Sequence, residues 1–278
     1  MQKTEQKSKF NLEKILDLSK QGLQIKDIAK QLEMNPKSLS YYLLKYNINL
    51  PKRRKYMVID DFFDNIDSEI KAYLLGYFIA DGCICIENKK HNGIIDGHSI
   101  RMLLNVSEDD LSVIKLFKQY IIPQGTISKT NCQNGVKFKR KPQVKLRWVS
   151  NHMFNTLSNY NIRPNKTLDS NFILPENCIP ENLWRHLVRG FFDGDGCIYH
   201  QKRKGTIYKQ VSFVFTSKIF ADQLLSKINI KYNISERVSK TCKWYEVRLL
   251  GGKTAIEQFK QYLYKDSNFF LQRKFLKF

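Results

Sequence analysis

The 278-residue sequence has no apolar run long enough to cross a bilayer, and no signal-peptide pattern opens it. A helical membrane protein and a secreted precursor are therefore not expected. The six cysteines, at 83, 85, 132, 178, 197 and 242, are read as reduced thiols of an intracellular chain. They form no CxxC pair, and none stands at zinc spacing to another. Cys83 and Cys85 are accordingly expected as small core residues at a strand start rather than metal ligands. Acidic residues are scarce: 26 Asp+Glu stand against 47 Lys+Arg, a net charge of +21. Such an excess points to a polyanion, and without a membrane segment the expected polyanion is nucleic acid. With 42% hydrophobic and 13% aromatic residues, the chain is a folded protein and not a basic tail.

Two short segments say nearly the same thing. Residues 74–84 are LLGYFIADGCI and residues 188–198 are VRGFFDGDGCI. Gly76 matches Gly190, Ala80 matches Gly194, Asp81 matches Asp195, and Gly82–Ile84 match Gly196–Ile198, always 114 positions apart. A constant offset implies an internal duplication, and a duplicated carboxylate implies a site of approximate two-fold symmetry. Gly76/Ala80 and Gly190/Gly194 are four apart, on one helix face. Glycine inside a helix costs roughly 1 kcal/mol relative to alanine. Paid twice on one face, that cost predicts two helices whose backbones touch. Asp81 and Asp195 fall in the last helical turn, with Gly82 and Gly196 expected as left-handed C-caps. A carboxylate there faces the negative end of the helix dipole. If the helices are parallel, two such ends converge into a cluster that cations would neutralise.

Residues 1–55 form a distinct block, with 13 Lys/Arg against 5 Asp/Glu. Apolar residues recur at helical spacing in Leu12–Leu18, Ile25–Leu32 and Leu39–Leu43. Gly22 is read as closing the first helix and Pro36 as starting the third. Residues 24–46 resemble a helix-turn-helix, with small Ala29 where the second helix crosses the third. Glu33 departs from the pattern, because glycine is usual there. The resemblance puts the third helix in the major groove, with Asn35, Lys37, Ser38, Ser40 and Tyr41 as candidate base or phosphate contacts. The basic run Lys52, Arg53, Arg54 and Lys55 is read as part of a linker that can track phosphates.

From about residue 67 the pattern is α+β. Asp67 or Ser68 is expected to cap the first motif helix, and Pro180 to start the second. Strands are expected at Ile84–Ile86, Ile100–Val106, Val136–Lys139 and Val144–Val149, then at Ile198–His200, Val211–Thr216 and Tyr245–Leu250. Helices are expected at Asp110–Tyr120, His152–Tyr160, Lys218–Ile228 and Thr254–Tyr264. Period-two alternation would put Lys137, Lys139, Lys145 and Arg147 on an outward strand face, suited to a DNA groove. Lys202, Arg203, Lys204, Lys209, Lys243 and Arg248 fall on or beside the later strands and join the candidate DNA contacts.

Residues 67–278 resemble the LAGLIDADG homing endonucleases in the form that carries both motifs in one chain. The resemblance implies an α+β fold: a pseudo-two-fold pair of αββαββα units with saddle-shaped antiparallel sheets, here preceded by a small all-α domain. The expected division is 1–50 helix-turn-helix, 51–66 linker, 67–170 first repeat and 171–278 second repeat. The resemblance implies that the motif helices pack through Gly76, Ala80, Gly190 and Gly194. It also implies that divalent metal, Mg²⁺ or Mn²⁺, is held at Asp81, Asp195, Gly82 and Gly196. An earlier motif position often carries an acid; Asp193 matches and Ile79 does not, a position taken as mainly structural. The family carries a basic residue in each active site. The contexts NIRPNKT (161–167) and FLQRK (270–274) assign Lys166 and Lys274, with Lys145 and Lys243 as alternatives.

The activity implied is site-specific double-strand DNA cleavage. Two or three metal ions would bridge both aspartates and the scissile phosphates, water would attack in line, and the products would carry short 3′ overhangs. The alternative on the same scaffold is a non-catalytic transcription regulator or an intron-RNA maturase. Met1 and Phe278 supply neither the terminal nucleophile nor the closing His-Asn of an intein, so a free-standing monomer is expected. The partner expected is a long asymmetric DNA site, with intron RNA a further possibility. The location expected is a bacterial or phage-infected cytoplasm or an organelle matrix.

Overall fold

The computed structural model describes residues 11–20, 23, 25–48, 57–91, 94–130, 141–203 and 205–278, without the side chains of 20, 89–91, 94–97 and 203. They divide into two units, Met1–Met57 and Val58–Phe278.

The first unit holds α1 (Leu12–Lys20), α2 (Ile25–Gln31) and α3 (Pro36–Lys45). Ile15, Ile28, Ala29, Leu39 and Leu43 form its buried core, so the helical apolar periodicity points inward as expected. The Asn35 side chain accepts from Lys37 N at 2.8 Å, capping α3, and Pro36 occupies its first position. Glu33, in the α2–α3 turn, has φ 52°, the left-handed conformation that the usual glycine of such turns adopts freely. Gly22, Lys52, Arg53, Arg54 and Lys55 lie outside the described residues.

The second unit repeats one order twice. Its first half runs α4 (Glu69–Asp81), β1 (Gly82–His91), β2 (Ile94–Ser107), α5 (Leu111–Ile121), β3 (Ser128–Thr130), β4 (Gln143–Val149) and α6 (Asn151–Asn159). Its second runs α7 (Trp184–Asp195), β5 (Cys197–Arg203), β6 (Thr206–Phe215), α8 (Lys218–Leu225), β7 (Tyr232–Val238), β8 (Lys243–Leu249) and α9 (Gly252–Tyr264), then the short α10 (Gln272–Phe275). The sheets have matching orders, β1-β2-β4-β3 and β5-β6-β8-β7, and every pairing is antiparallel. This is the expected paired αββαββα arrangement.

In the first sheet Met102, Leu104, Val144, Leu146 and Trp148 are buried. Trp148 meets Phe117 of α5 at 6.1 Å between ring centres, and its Nε1 donates to Met153 Sδ of α6 at 3.2 Å. The helices therefore cover one sheet face. The opposite face carries Arg101, Asn105, Lys145 and Arg147 by strand alternation.

Several expectations are corrected. Strands β3 and β7 were not anticipated; both are edge strands with little apolar alternation to announce them. The strand expected at Val136–Lys139, with Lys137 and Lys139, lies outside the described residues, as does Lys204. Residues 58–66, read as the end of a linker, belong to the second unit: Phe62, Phe63 and Ile66 are buried, and Ile59 N donates to Ile121 O at 2.8 Å. Ser68 is the N-cap of α4 but makes no side-chain capping bond, while Asp67 pairs with Lys71 at 3.0 Å. Pro180 opens a 3₁₀ turn, Glu181–Leu183, that leads into α7.

Candidate active site

Helices α4 and α7 lie side by side and parallel: Tyr73 and Tyr77 meet Gly190, Leu187 and Phe191 meet Gly76, and Ala80 meets Gly194. The small residues are required by distance. A methyl added at Gly76 would fall 2.0 Å from Leu187 O, and one at Gly190 2.0 Å from Tyr73 O. A methyl at Gly194 would reach 2.4 Å from Ala80 Cβ and 3.2 Å from Asp81 Oδ2. α4 is apolar on all sides because Ala72 through Ala80 are buried without interruption.

The parallel packing brings Asp81 and Asp195 together at the last residue of each helix. The glycines that follow correct the sequence reading. Gly82 (φ −73°, ψ 147°) and Gly196 (φ −70°, ψ 150°) are extended, not left-handed, because each helix passes straight into a strand. Glycine is needed there for close approach. A methyl at Gly82 would lie 2.4 Å from the Phe78 ring, and one at Gly196 2.0 Å from the Phe192 ring.

A lysine attends each helix end. Lys166 follows Asn165, which is left-handed at φ 60°, and its Nζ donates to Ala80 O of α4 at 3.4 Å. Lys274, on α10, donates through Nζ to Gly196 O and to Phe192 O, the latter at 3.4 Å. Both are buried, at 9% and 5% exposure. Cations on these carbonyls offset the negative helix ends that make a terminal aspartate unfavourable. The alternatives fall elsewhere. Lys145 stands on the open face of β4, and Lys243 pairs with Glu236 at 2.8 Å.

The electrostatics follow from crowding. Asp195 reaches solvent at its outer edge but is enclosed by protein elsewhere. Desolvation, then the Asp81 charge, push its pKa up to about 6 against the pull of Lys166 and Lys274. Asp81 is likewise raised, chiefly by burial and also by Asp110, while the nearby Tyr77 hydroxyl and both lysines ease it. Tyr77 Oη is buried and makes no well-formed hydrogen bond of its own. Burial lowers Lys166, opposed by Asp195 and Asp81. Burial and then Arg273 lower Lys274.

This chemistry fits a small divalent cation. The facing groups are hard carboxylate oxygens whose mutual repulsion a cation would relieve. Among the described residues no group of three or more His, Cys, Asp and Glu is gathered. Mg²⁺ keeps several waters and is commonly held by one or two carboxylates plus phosphate oxygens. Cys83 and Cys85 are not the core residues expected: Cys83 is exposed, as is its counterpart Cys197, and Cys85 is half-buried.

Sequence reasoning marked Asp193 as a structural position but missed its partners and the other buried polar groups behind the site. Asp193 is fully buried and accepts from Tyr73 Oη at 2.9 Å, Tyr264 Oη at 3.0 Å and Leu271 N at 2.7 Å. Arg189, also fully buried, donates to Glu69 Oε1 and Phe269 O, each at 2.7 Å, and to Leu263 O at 2.9 Å. Arg273 forks onto Asp110, with Nη2–Oδ2 at 2.6 Å. The only available signal was the charge itself, placed inside apolar stretches.

The candidate DNA contacts separate by face. Lys145 and Arg147 lie on the open face of the first sheet, and Arg248 on that of the second beside Glu246 at 2.7 Å. Lys202, Lys209 and Lys243 have the opposite strand parity, that of the buried Ile198, Val211 and Val247, although Lys202 and Lys243 are themselves exposed. Lys209 lines a cavity with Ile256 of α9 and donates to Phe278 O, and Lys243 lies over the Tyr245 ring at 5.4 Å. The open face of the second sheet is instead formed by Tyr199, Gln201, Tyr208, Gln210, Trp244 and Arg248. The side chain of Arg203 lies outside the described set. In the first unit Lys37, Ser38, Ser40 and Tyr41 are exposed, with Ser40 Oγ donating to Pro36 O at 2.9 Å.

A family profile described as LAGLIDADG-like domain matches residues 184–263, which run from the start of α7 to the end of α9. The chain is also similar to solved structures of low identity. The LAGLIDADG meganuclease I-AabMI bound to uncleaved DNA matches at 16% identity and TM-score 0.48, over 73% of this chain and 86% of that one. I-DmoI in complex with DNA and Mn matches at 14% and 0.46, over 72% and 98%. I-SmaMI bound to an uncleaved DNA target with calcium matches at 14% and 0.46, over 69% and 84%. No curated protein matches the chain. Among the described residues no helix is long and apolar enough to cross a membrane.

Proposed function

We propose that the chain is a site-specific double-strand DNA endonuclease of the homing type, acting as a monomer on a long asymmetric site. The observation that carries this reading is the pair Asp81 and Asp195, converged at two helix ends, each end attended by a buried lysine. Two carboxylates converged at helix ends, the charge of one raising the pKa of the other, are the kind of arrangement found at catalytic sites. The similar structures include LAGLIDADG proteins bound to DNA, in one case with Mn, which accords with DNA as partner and divalent metal as cofactor.

Asp81 and Asp195 would hold Mg²⁺ or Mn²⁺, which when bound supplies charge stabilisation at the scissile phosphates. Lys166 and Lys274 supply positive charge beside those carboxylates. Their ammonium groups, fixed on main-chain carbonyls, would stabilise charge building on the phosphate or orient the attacking water. Arg101, Lys145 and Arg147 would contact DNA phosphates from the open face of the first sheet, and Arg248 from the second. In this proposal residues 67–170 and 171–278 are the two repeats, and residues 1–50 are a helix-turn-helix that extends the DNA contact through Lys37, Ser38, Ser40 and Tyr41.

The test is selection of cleaved sequences from a randomised DNA library, with Mg²⁺ and again with EDTA. A single long site cut only with Mg²⁺ is the expected result. Bound but uncut DNA with every metal would transfer the chain to the regulator or maturase reading.

A further inference from the structure

The duplication is exact at Asp81 and Asp195 but broken two residues earlier, where Asp193 in α7 matches Ile79 in α4. The break lies directly behind the two lysines. Asp193 Oδ2 accepts the backbone N–H of Leu271 at 2.7 Å, and Leu271 O in turn accepts Lys274 N at 2.9 Å. Two buried phenols, Tyr73 and Tyr264, hold the same carboxylate. Next to Lys274, Arg273 forks onto buried Asp110 of the opposite repeat. The segment bearing Lys274 is therefore fixed from two sides.

The segment bearing Lys166 is built differently. Its turn is closed by backbone bonds, Leu168 N to Asn165 O at 2.8 Å and Asp169 N to Lys166 O at 3.2 Å, and its side-chain anchors lie farther along the loop, Asn161 Nδ2 to Ile173 O at 2.9 Å and Ser217 Oγ to Phe172 O at 2.6 Å. Ile79, at the place of Asp193, can accept no hydrogen bond. In the position where three donors converge on Asp193, Ile79 instead lines a cavity of about 220 Å³ with Lys166, Thr167, Phe191, Asp195 and Ser217. Lys166 thus has open space beside it.

We propose that the two half-sites are unequal: Asp193 is a positioning residue that locks Lys274, Lys166 has no counterpart lock, and the DNA strand served by Lys274 is cut first. A nicked duplex then precedes the double-strand break. Displacing a reacting group by about 1 Å can cost on the order of 10²-fold in rate. A tenfold difference between strands is therefore a modest expectation. The inference rests on the nuclease reading for its kinetic half; the tether itself is a property of the free protein.

Two measurements test it. Hydrogen exchange followed by mass spectrometry on the full-length wild-type chain should show slower exchange over 271–275 than over 166–168. In Asp193→Asn, exchange over 271–275 should rise while 166–168 stays unchanged. Single-turnover cleavage, with each strand end-labelled, should show one strand cut about tenfold faster. Lys274→Met should abolish that fast phase, and Asp193→Asn should slow the same strand while DNA affinity is kept. Equal exchange in the two wild-type segments, equal strand rates, or a loss shared by both strands in Asp193→Asn would overturn the proposal. Should Asp193→Asn fail to fold, the two wild-type comparisons still decide it. A wild-type protein that cuts neither strand overturns the nuclease reading, and the exchange comparison then judges the tether alone.

Discussion

Gly190 rests on the backbone of Tyr73 so closely that a methyl group on it would fall 2.0 Å from the Tyr73 carbonyl oxygen. Two backbones, not flexible side chains, meet there, so neither can yield cheaply. Gly190→Ala gains up to about 1 kcal/mol of helix propensity. It should still lose stability by about 1–3 kcal/mol net of that gain, as overpacked cores do. Urea denaturation of the variant measures this. An unchanged midpoint would mean that the two helices separate more easily than their packing indicates.

Asp81 and Asp195 have a common weakness: each is charged in a place that disfavours charge. Replacing either by asparagine should remove double-strand cutting by at least roughly 10²-fold while leaving DNA affinity intact. The free protein should melt higher, because a repelling, desolvated carboxylate is gone. For Asp195, whose pKa rises to about 6 in the fold, this gain should be largest above pH 6. It should shrink as pH falls from 6 and vanish below about pH 3.8, where the wild-type group is protonated in both states. Melting curves at several pH values, in EDTA, check the sign.

His186 tests the opposite direction. It is buried, its Nδ1 lies 2.8 Å from Arg189 Nη1, and burial together with the Arg189 charge lowers its pKa to about 4. The unfolded chain therefore takes up a proton near pH 6.5 that the folded chain refuses until about pH 4. This group's contribution is fully favourable above pH 6.5 and is lost as pH falls toward 4. His186→Gln should flatten that part of the acid unfolding curve relative to wild type, and equal slopes would contradict the assignment.

The two faces of the sheets separate lysines that composition alone cannot distinguish. Lys145→Ala, on the open face, should weaken DNA binding and reduce the salt slope of affinity by about one unit. Lys209→Ala, on the helix side, should leave the slope unchanged. Titrations across a range of KCl concentrations separate the two.

Glu33 holds φ 52°, where an L side chain is strained by about 1–2 kcal/mol. Glu33→Gly relieves that strain and adds some unfolded-state entropy, so the first unit should gain about 1 kcal/mol. Slower hydrogen exchange in α2 and α3 is the readout. Faster exchange would show that the glutamate side chain contributes more than its backbone costs.

Much of this protein was determined by local sequence. The duplicated small residues four apart required touching helices, because only glycine and alanine permit that approach. Helix ends at Asp81 and Asp195 followed from the same segments, and the alternation around Val144–Trp148 fixed which face of β4 is buried. Other features depended on what lies across space. Gly82 and Gly196 looked like left-handed caps, but the Phe78 and Phe192 rings that exclude a Cβ are placed by the turn from helix to strand. Lys202, Lys209 and Lys243 joined the DNA-contact set by charge alone, and only strand register shows that their parity differs from that of Arg248, with Lys209 beside α9. Arg189, Asp193 and Asp110 are polar residues in apolar surroundings. Their partners are contributed by segments 70 to 163 positions away in the chain. No local pattern carries such distances, so the buried groups that orient the site were decided by the tertiary fold.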